Sequence, residues 1–225
     1  MNPTACPMPS ADAAWPGVLP VRQWSTDGLA PRERLDYWVG AVCDCFLDME
    51  VSSAEGERFQ ARIDAQAVHA LTINQVQGSP QEVLRTPRGI ARASRNAYYL
   101  LCKEREACTV EQVGHAGASL RPGDLALIDS RRPYALRFAG AVDTWSVALP
   151  TEWLDRWLPQ AQRHLGQRID GRQGFGLALS AFLRELGQGA GACSRTLPPA
   201  LLADQLGALL ALALPSHDLA EAGEA

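Results

Sequence analysis

The hydrophobic period of this chain changes twice, and the two changes divide it into zones that must fold by different rules. Between Pro31 and Leu47 the apolar residues Leu35, Trp38, Val39, Val42, Phe46 and Leu47 recur at the spacing of one helical face. Pro31 suits a first helical turn. After Ser52 the spacing becomes two: Phe59, Ala61 and Ile63 alternate with Gln60, Arg62 and Asp64. The same alternation recurs at Tyr134, Leu136 and Phe138 and at Trp145, Val147 and Leu149. From Pro150 onward helical spacing returns.

Less regular strand candidates lie at Leu71 to Val76, Glu82 to Arg85, Tyr98 to Lys103, Cys108 to Val113 and Asp124 to Asp129. Turn signals such as Gly78-Ser79-Pro80 and Pro122-Gly123-Asp124 separate them. About eight short strands at this spacing predict a barrel or jelly-roll sandwich. The closing helices are expected at Pro150 to Leu158, Gly174 to Leu186 and Pro199 to Leu214. The last carries the stripe Leu202, Leu206, Leu209 and Leu210, with Leu201, Leu212 and Leu214 off it. A helix so apolar needs two covers, its own domain and a partner subunit, so those four leucines are the expected dimer interface.

Composition narrows the function classes. The 225 residues hold 21 Lys and Arg against 25 Asp and Glu, a formal charge of −4, which argues against a self-sufficient nucleic-acid binder with a basic face. The longest nearly uninterrupted apolar stretch, Leu206 to Leu214, is about half of the ~18 residues that would suggest a membrane span. Met1 to Gly17 has neither the basic nor the apolar region of a signal peptide, so a cytoplasmic protein without a membrane partner is expected. The six cysteines are then expected to be reduced.

Two segments flank the charged turn Glu104-Arg105-Glu106. As a hairpin centred on Arg105 they would oppose Cys102 to Cys108, Leu100 to Val110 and Tyr98 to Gln112, all on one inward face. Gln112 would then be a polar group on an apolar wall, needing a backbone group or a ligand as partner. Tyr98 and Trp145 are the matching aromatic candidates for a pocket.

Catalytic signatures are sparse. The four histidines are His69, His115, His164 and His217, and no two are separated by a single residue, so no metal or other cofactor is expected. There is no GxSxG elbow, and no cysteine has an activating histidine beside it, so no catalytic residue is assigned.

A more specific pointer comes from ordered segments: Trp24-Ser25-Thr26-Asp27, then Pro31-Arg32-Glu33-Arg34-Leu35-Asp36-Tyr37-Trp38, then Val83-Leu84-Arg85-Thr86. These are followed by Leu120-Arg121-Pro122-Gly123-Asp124-Leu125-Ala126-Leu127-Ile128-Asp129-Ser130, Arg132-Pro133-Tyr134 and Phe138. In order and spacing they resemble the N-terminal sensor domain of AraC/XylS-type bacterial transcription regulators. The resemblance implies an α+β, mainly β fold: an N-terminal helix, a cupin-like jelly-roll barrel and C-terminal helices. The expected organisation is a flexible arm at 1–23, helix plus barrel at 24–149, a helical dimerisation region at 150–214 and a tail at 215–225.

The resemblance also implies a small effector bound in a metal-free barrel, an arm that responds to it, and a homodimer. It implies a C-terminal helix-turn-helix DNA reader as well. After Leu214 only Pro215 to Ala225 remain, so DNA is expected to be reached only through a domain missing from this chain. The effector class expected is a small aromatic carboxylate or an amine; Arg85 would hold a carboxylate if it points inward and is otherwise a solvated surface arginine, and Trp24 joins Tyr98, Gln112 and Trp145 as ligand candidates. The rival readings are a metal-dependent cupin enzyme and a standalone module that pairs with a full-length regulator.

Overall fold

A computed structural model describes residues 22–188 and 197–214. The expected tail at 215–225 and most of the expected arm at 1–23 lie outside the described residues. Two antiparallel sheets form the body. Sheet A orders β1 (Arg22–Ser25), β3 (Ala61–Val68), β4 (Leu71–Gly78), β11 (Val142–Leu149), β6 (Tyr98–Lys103) and β9 (Leu125–Asp129). Sheet B orders β2 (Glu50–Ser52), β5 (Gln81–Arg85), β10 (Tyr134–Phe138), β7 (Cys108–Gln112) and β8 (Ala118–Leu120). All eight segments anticipated as strands are strands, with β1, β2 and β8 added. The Pro122-Gly123 turn forms with Gly123 at φ 90°, a conformation that favours glycine.

Helix α1 (Arg34–Cys45) follows a short 3-10 turn at Pro31–Glu33 and packs its Trp38, Ala41 and Val42 face onto the core between the sheets. A short helix, α2 (Pro87–Arg92), was not expected from periodicity. Its local signal is Thr86, which accepts from Gly89 N at 3.3 Å, followed by proline at the first helical position. Helices α3 (Thr151–Trp157), α4 (Gly174–Gln188) and α5 (Pro199–Ala213) cover the other face of sheet A.

At β11, β6 and β9 sheet A therefore has no wet face, while its β1 and β3 end keeps Gln23 and Arg62 in water. One side meets sheet B and α1, the other meets α3 to α5, and each side has its own apolar core. Sheet B keeps its outer face in water: Arg137 there bridges Glu82 at 2.7 Å and Glu111 at 2.6 Å.

This layering overturns the hairpin expected around Arg105. β6 pairs with β11 and β9 in sheet A, while β7 pairs with β10 and β8 in sheet B, so the charged turn carries the chain from one sheet to the other. The faces are split accordingly. Cys108 and Val110 belong to the core between the sheets, whereas Tyr98, Leu100 and Cys102 face the helices. It is Tyr99 and Leu101 that point into the barrel, and Lys103, which strict alternation turns to solvent, is 1% exposed.

Candidate functional site

A cavity of about 60 Å³ lies between the sheets beneath α1. That is several times the ~10–15 Å³ one water requires. Its wall is apolar for most of its extent. Trp38 and Val42 of α1, with Phe46 just past its end, form the lid, and Val83, Leu101, Ile128, Leu136 and Val142 are among the aliphatic residues beneath. Polar groups are few. Trp38 Nε1 donates to Gln81 Oε1 at 2.7 Å, and the Tyr134 hydroxyl lies 3.3 Å from Met49 Sδ. Thr144 and Ser146 of β11 complete the lining. Burial raises the Tyr99 and Tyr134 phenols above their ordinary range, so both stay neutral donors at physiological pH.

Two cations flank this space. Lys103 Nζ donates to Asp143 O at 3.3 Å and Thr144 Oγ1 at 3.4 Å, and stands 5.1 Å from the Phe138 ring centroid. Arg85 shares the buried face of β5 with Gln81 and Val83, opposite Tyr134. Its Nε donates to Ser130 O at 3.1 Å and its Nη1 to Asp48 O at 2.6 Å, while Nη2 is buried without a hydrogen-bond partner.

The residues singled out from sequence scatter around the cavity, and Arg85 alone among the five ligand candidates follows two cavity-lining residues on one strand face. Gln112 is on the interior side of sheet B, but both ends of its amide are taken by the backbone of Asp129. Tyr98 looks outward from the barrel: its hydroxyl accepts from Arg131 Nη2 at 2.5 Å and Gln162 Nε2 at 3.3 Å. Trp145 is a correction of the same kind. It faces the helical layer, its ring against α4 where a side chain at Gly187 would stand, and its indole N–H has no partner. Trp24 ties β1 to α1, its Nε1 donating to Asp44 Oδ2 at 3.2 Å.

The leucine stripe of α5 is also reassigned. Leu202, Leu206 and Leu210 are buried in the chain's own core and Leu209 is half-buried, because the helix packs on α4 and α3. The apolar residues left outside are Leu201 and Leu212, with Phe175 and Leu177 on α4.

Sequence reasoning missed Thr144, Ser146 and Lys103, because they alternate with apolar neighbours and a strand with one dry face would turn them to water. No sequence signal separates them from solvent-facing residues, since the burial of all six residues of β6 is visible only in the fold.

Chemically the lining offers apolar contact and a few hydrogen-bond donors. Among the described residues no three His, Cys, Asp or Glu side chains gather as a metal-holding group, and no helix is long and apolar enough to cross a membrane. A small, partly open apolar cavity with a few buried donors is suited to hold a molecule by shape and select it by hydrogen bonding.

The fold has a known counterpart. The AraC-like transcriptional activator CuxR superposes with a TM-score of 0.72 at 15% identity, over 87% of this chain and 71% of that one. A cupin-like protein from Thermotoga maritima matches over 45% of the chain with a TM-score of only 0.33. In sequence, an uncharacterized protein in the nit 5′ region of Bacillus sp. (strain OxB-1) is 30% identical over 113 residues, 50% of this chain. The alignment spans 43% of that relative's own length. A family model matches residues 38–215, from the first cavity-lining residue of α1 past the end of α5, and by that match the chain belongs to the AraC-binding-like domain family.

Proposed function

We propose that this chain is the effector-sensing and dimerising module of an AraC-type transcription regulator, with the barrel at 24–149 as sensor and the helices at 150–214 as dimerisation region. The observation that carries the reading is the cavity beneath α1. Its lid is also the element that grips β1, through Asp44 bonds to Trp24 Nε1 and to Arg22 at 3.1 Å. A molecule that fits one position of α1 better than another shifts the population of both, and β1 is where the N-terminal segment joins the barrel. A DNA reader on a longer parent or on a partner chain would take up that shift. The protein acts in the bacterial cytoplasm on this reading and transforms nothing.

Dimerisation is assigned to the outer face of α4 and α5, where Phe175, Leu177, Leu201 and Leu212 leave apolar surface exposed.

The test is a thermal-shift screen of small acids, amines and aldehydes on wild type and on Ser146→Leu, which fills the cavity. A ligand at a hundred times its Kd adds about 2.7 kcal/mol of stability. Stabilisation in wild type and none in Ser146→Leu is expected. Equal stabilisation of both proteins would move the effector site out of the barrel.

A further inference from the structure

We infer that the effector carries a small anionic group of the carboxylate class, held by the buried ammonium of Lys103 beside the hydroxyl of Thr144. This rests on the reading of the cavity as an effector site and names the chemistry of that site. Lys103 succeeds Tyr99 and Leu101 on the interior face of β6, and the two side chains it touches, Thr144 and Phe138, both line the cavity.

The charge balance around the cavity is what demands an anion. A buried ammonium is costly unless a negative charge compensates it. Lys103 meets a carbonyl, a hydroxyl and an aromatic ring, none of them charged. The carboxylates buried in the fold are each engaged by an arginine: Asp143 by Arg105 at 3.3 Å, Asp129 by Arg131 at 2.8 Å and Asp124 by Arg168 at 3.2 Å. Arg85 adds a second cation on an interior face with only carbonyl partners and a free buried N–H. Burial depresses the Lys103 pKa against the pull of Cys108, Asp143, Glu106 and Glu104, so those groups do not offset its burial and an incoming anion would.

Size and donor count narrow the anion. A carboxylate accepts from Lys103 and Thr144 together with charge-assisted bonds. A phosphate has more oxygens than these donors can satisfy. The cavity of about 60 Å³ is smaller than the ~150 Å³ known to hold benzene, so a compact aliphatic acid enters unaided and a ring requires α1 to lift.

Matched acids and amides separate charge from shape. Propionate and propionamide, butyrate and butyramide, and benzoate and benzamide are titrated at constant ionic strength by thermal shift and calorimetry. At least one acid is expected to stabilise the protein where its amide does not. Lys103→Met should weaken that acid by about tenfold or more, as loss of a charged hydrogen bond does. If Lys103→Met does not fold, Thr144→Val should weaken it several-fold. Amides that stabilise as well as acids would overturn the anion while leaving the effector cavity standing. Undiminished acid binding in the variants would overturn the role of Lys103. No response to any acid would overturn the inference, and the Ser146→Leu comparison then decides the cavity by itself.

Discussion

Gln112 holds both polar groups of one peptide residue: its Nε2 donates to Asp129 O at 2.8 Å, and Asp129 N donates to its Oε1 at 2.9 Å. Gln112 ends β7 in sheet B and Asp129 ends β9 in sheet A, so the pair stitches the two sheets together. The buried amide on an apolar wall thus found a backbone partner. Gln112→Leu strands a donor and an acceptor, each costing about 1–3 kcal/mol. A loss of roughly 2–6 kcal/mol in urea unfolding is expected, with little change of slope. A loss below half a kilocalorie would show that water replaces the amide.

The contact of Gly187 with Trp145 sets how α4 sits on sheet A. A side chain at Gly187 would meet the indole ring, so Gly187→Val should cost about 1–3 kcal/mol by overpacking. Trp145→Ala should cost about 3–5 kcal/mol, the range for emptying a large aromatic site. The two changes share one space, so the double mutant should be less destabilised than the sum. Strict additivity in thermal unfolding would separate them.

Leu201→Glu together with Leu212→Glu tests the outer face of α5. Both positions are half exposed, so the fold should lose less than about 0.5 kcal/mol in a monomer. Self-association, read by light scattering at tens of micromolar, should fall to a monomer. The control is Leu206→Ala, inside the chain's own core, which should lower stability by about 2–5 kcal/mol instead.

Stability should fall on the alkaline side. Burial pushes the Cys45 thiol up to about 12 and the Cys102 and Cys108 thiols up to about 11, from an ordinary 9.0. Between pH 9 and 11 the unfolded chain releases these protons and the fold keeps them, so unfolding becomes easier as pH rises. Each retained proton is worth about 1.4 kcal/mol per pH unit. Lys103 works in the opposite direction because its pKa is depressed. Urea midpoints at pH 8, 9 and 10 should therefore decline, and Cys102→Ser with Cys108→Ser should flatten the decline. At pH 8 the native thiols at 102 and 108 should resist maleimide until the protein unfolds.

What could be read from sequence divides along the two sheets. In sheet B, Cys108, Val110 and Gln112 are buried and Thr109 and Glu111 exposed, as alternation requires, because one face is in water. In sheet A the rule holds at the start of β3, where Arg62 is exposed between buried Ala61 and Ile63, and fails at β6, β9 and β11, where helices cover the face that alternation assigns to solvent. Tyr98-Tyr99-Leu100-Leu101-Cys102-Lys103 is buried throughout, and the phase of such a strand is settled by what packs on it. The same ambiguity governs α5: the stripe was visible, but nothing in the residues said whether it met the chain's own core or a second copy. Arg85 was legible as a site candidate, whereas Lys103 needed the helical layer to be seen first.

Strand β11 lies at the centre of sheet A, paired along both edges, with seven of its eight residues buried. Thr144 and Ser146 face the cavity while Trp145 and Val147 press on the helical layer. A strand so placed has the slowest-exchanging amides of a sheet and does not melt locally to relay a signal. On the proposed reading a signal from a bound effector reaches the helices as a tilt of a stiff plate, and hydrogen exchange along β11 should remain unmoved while α1 changes.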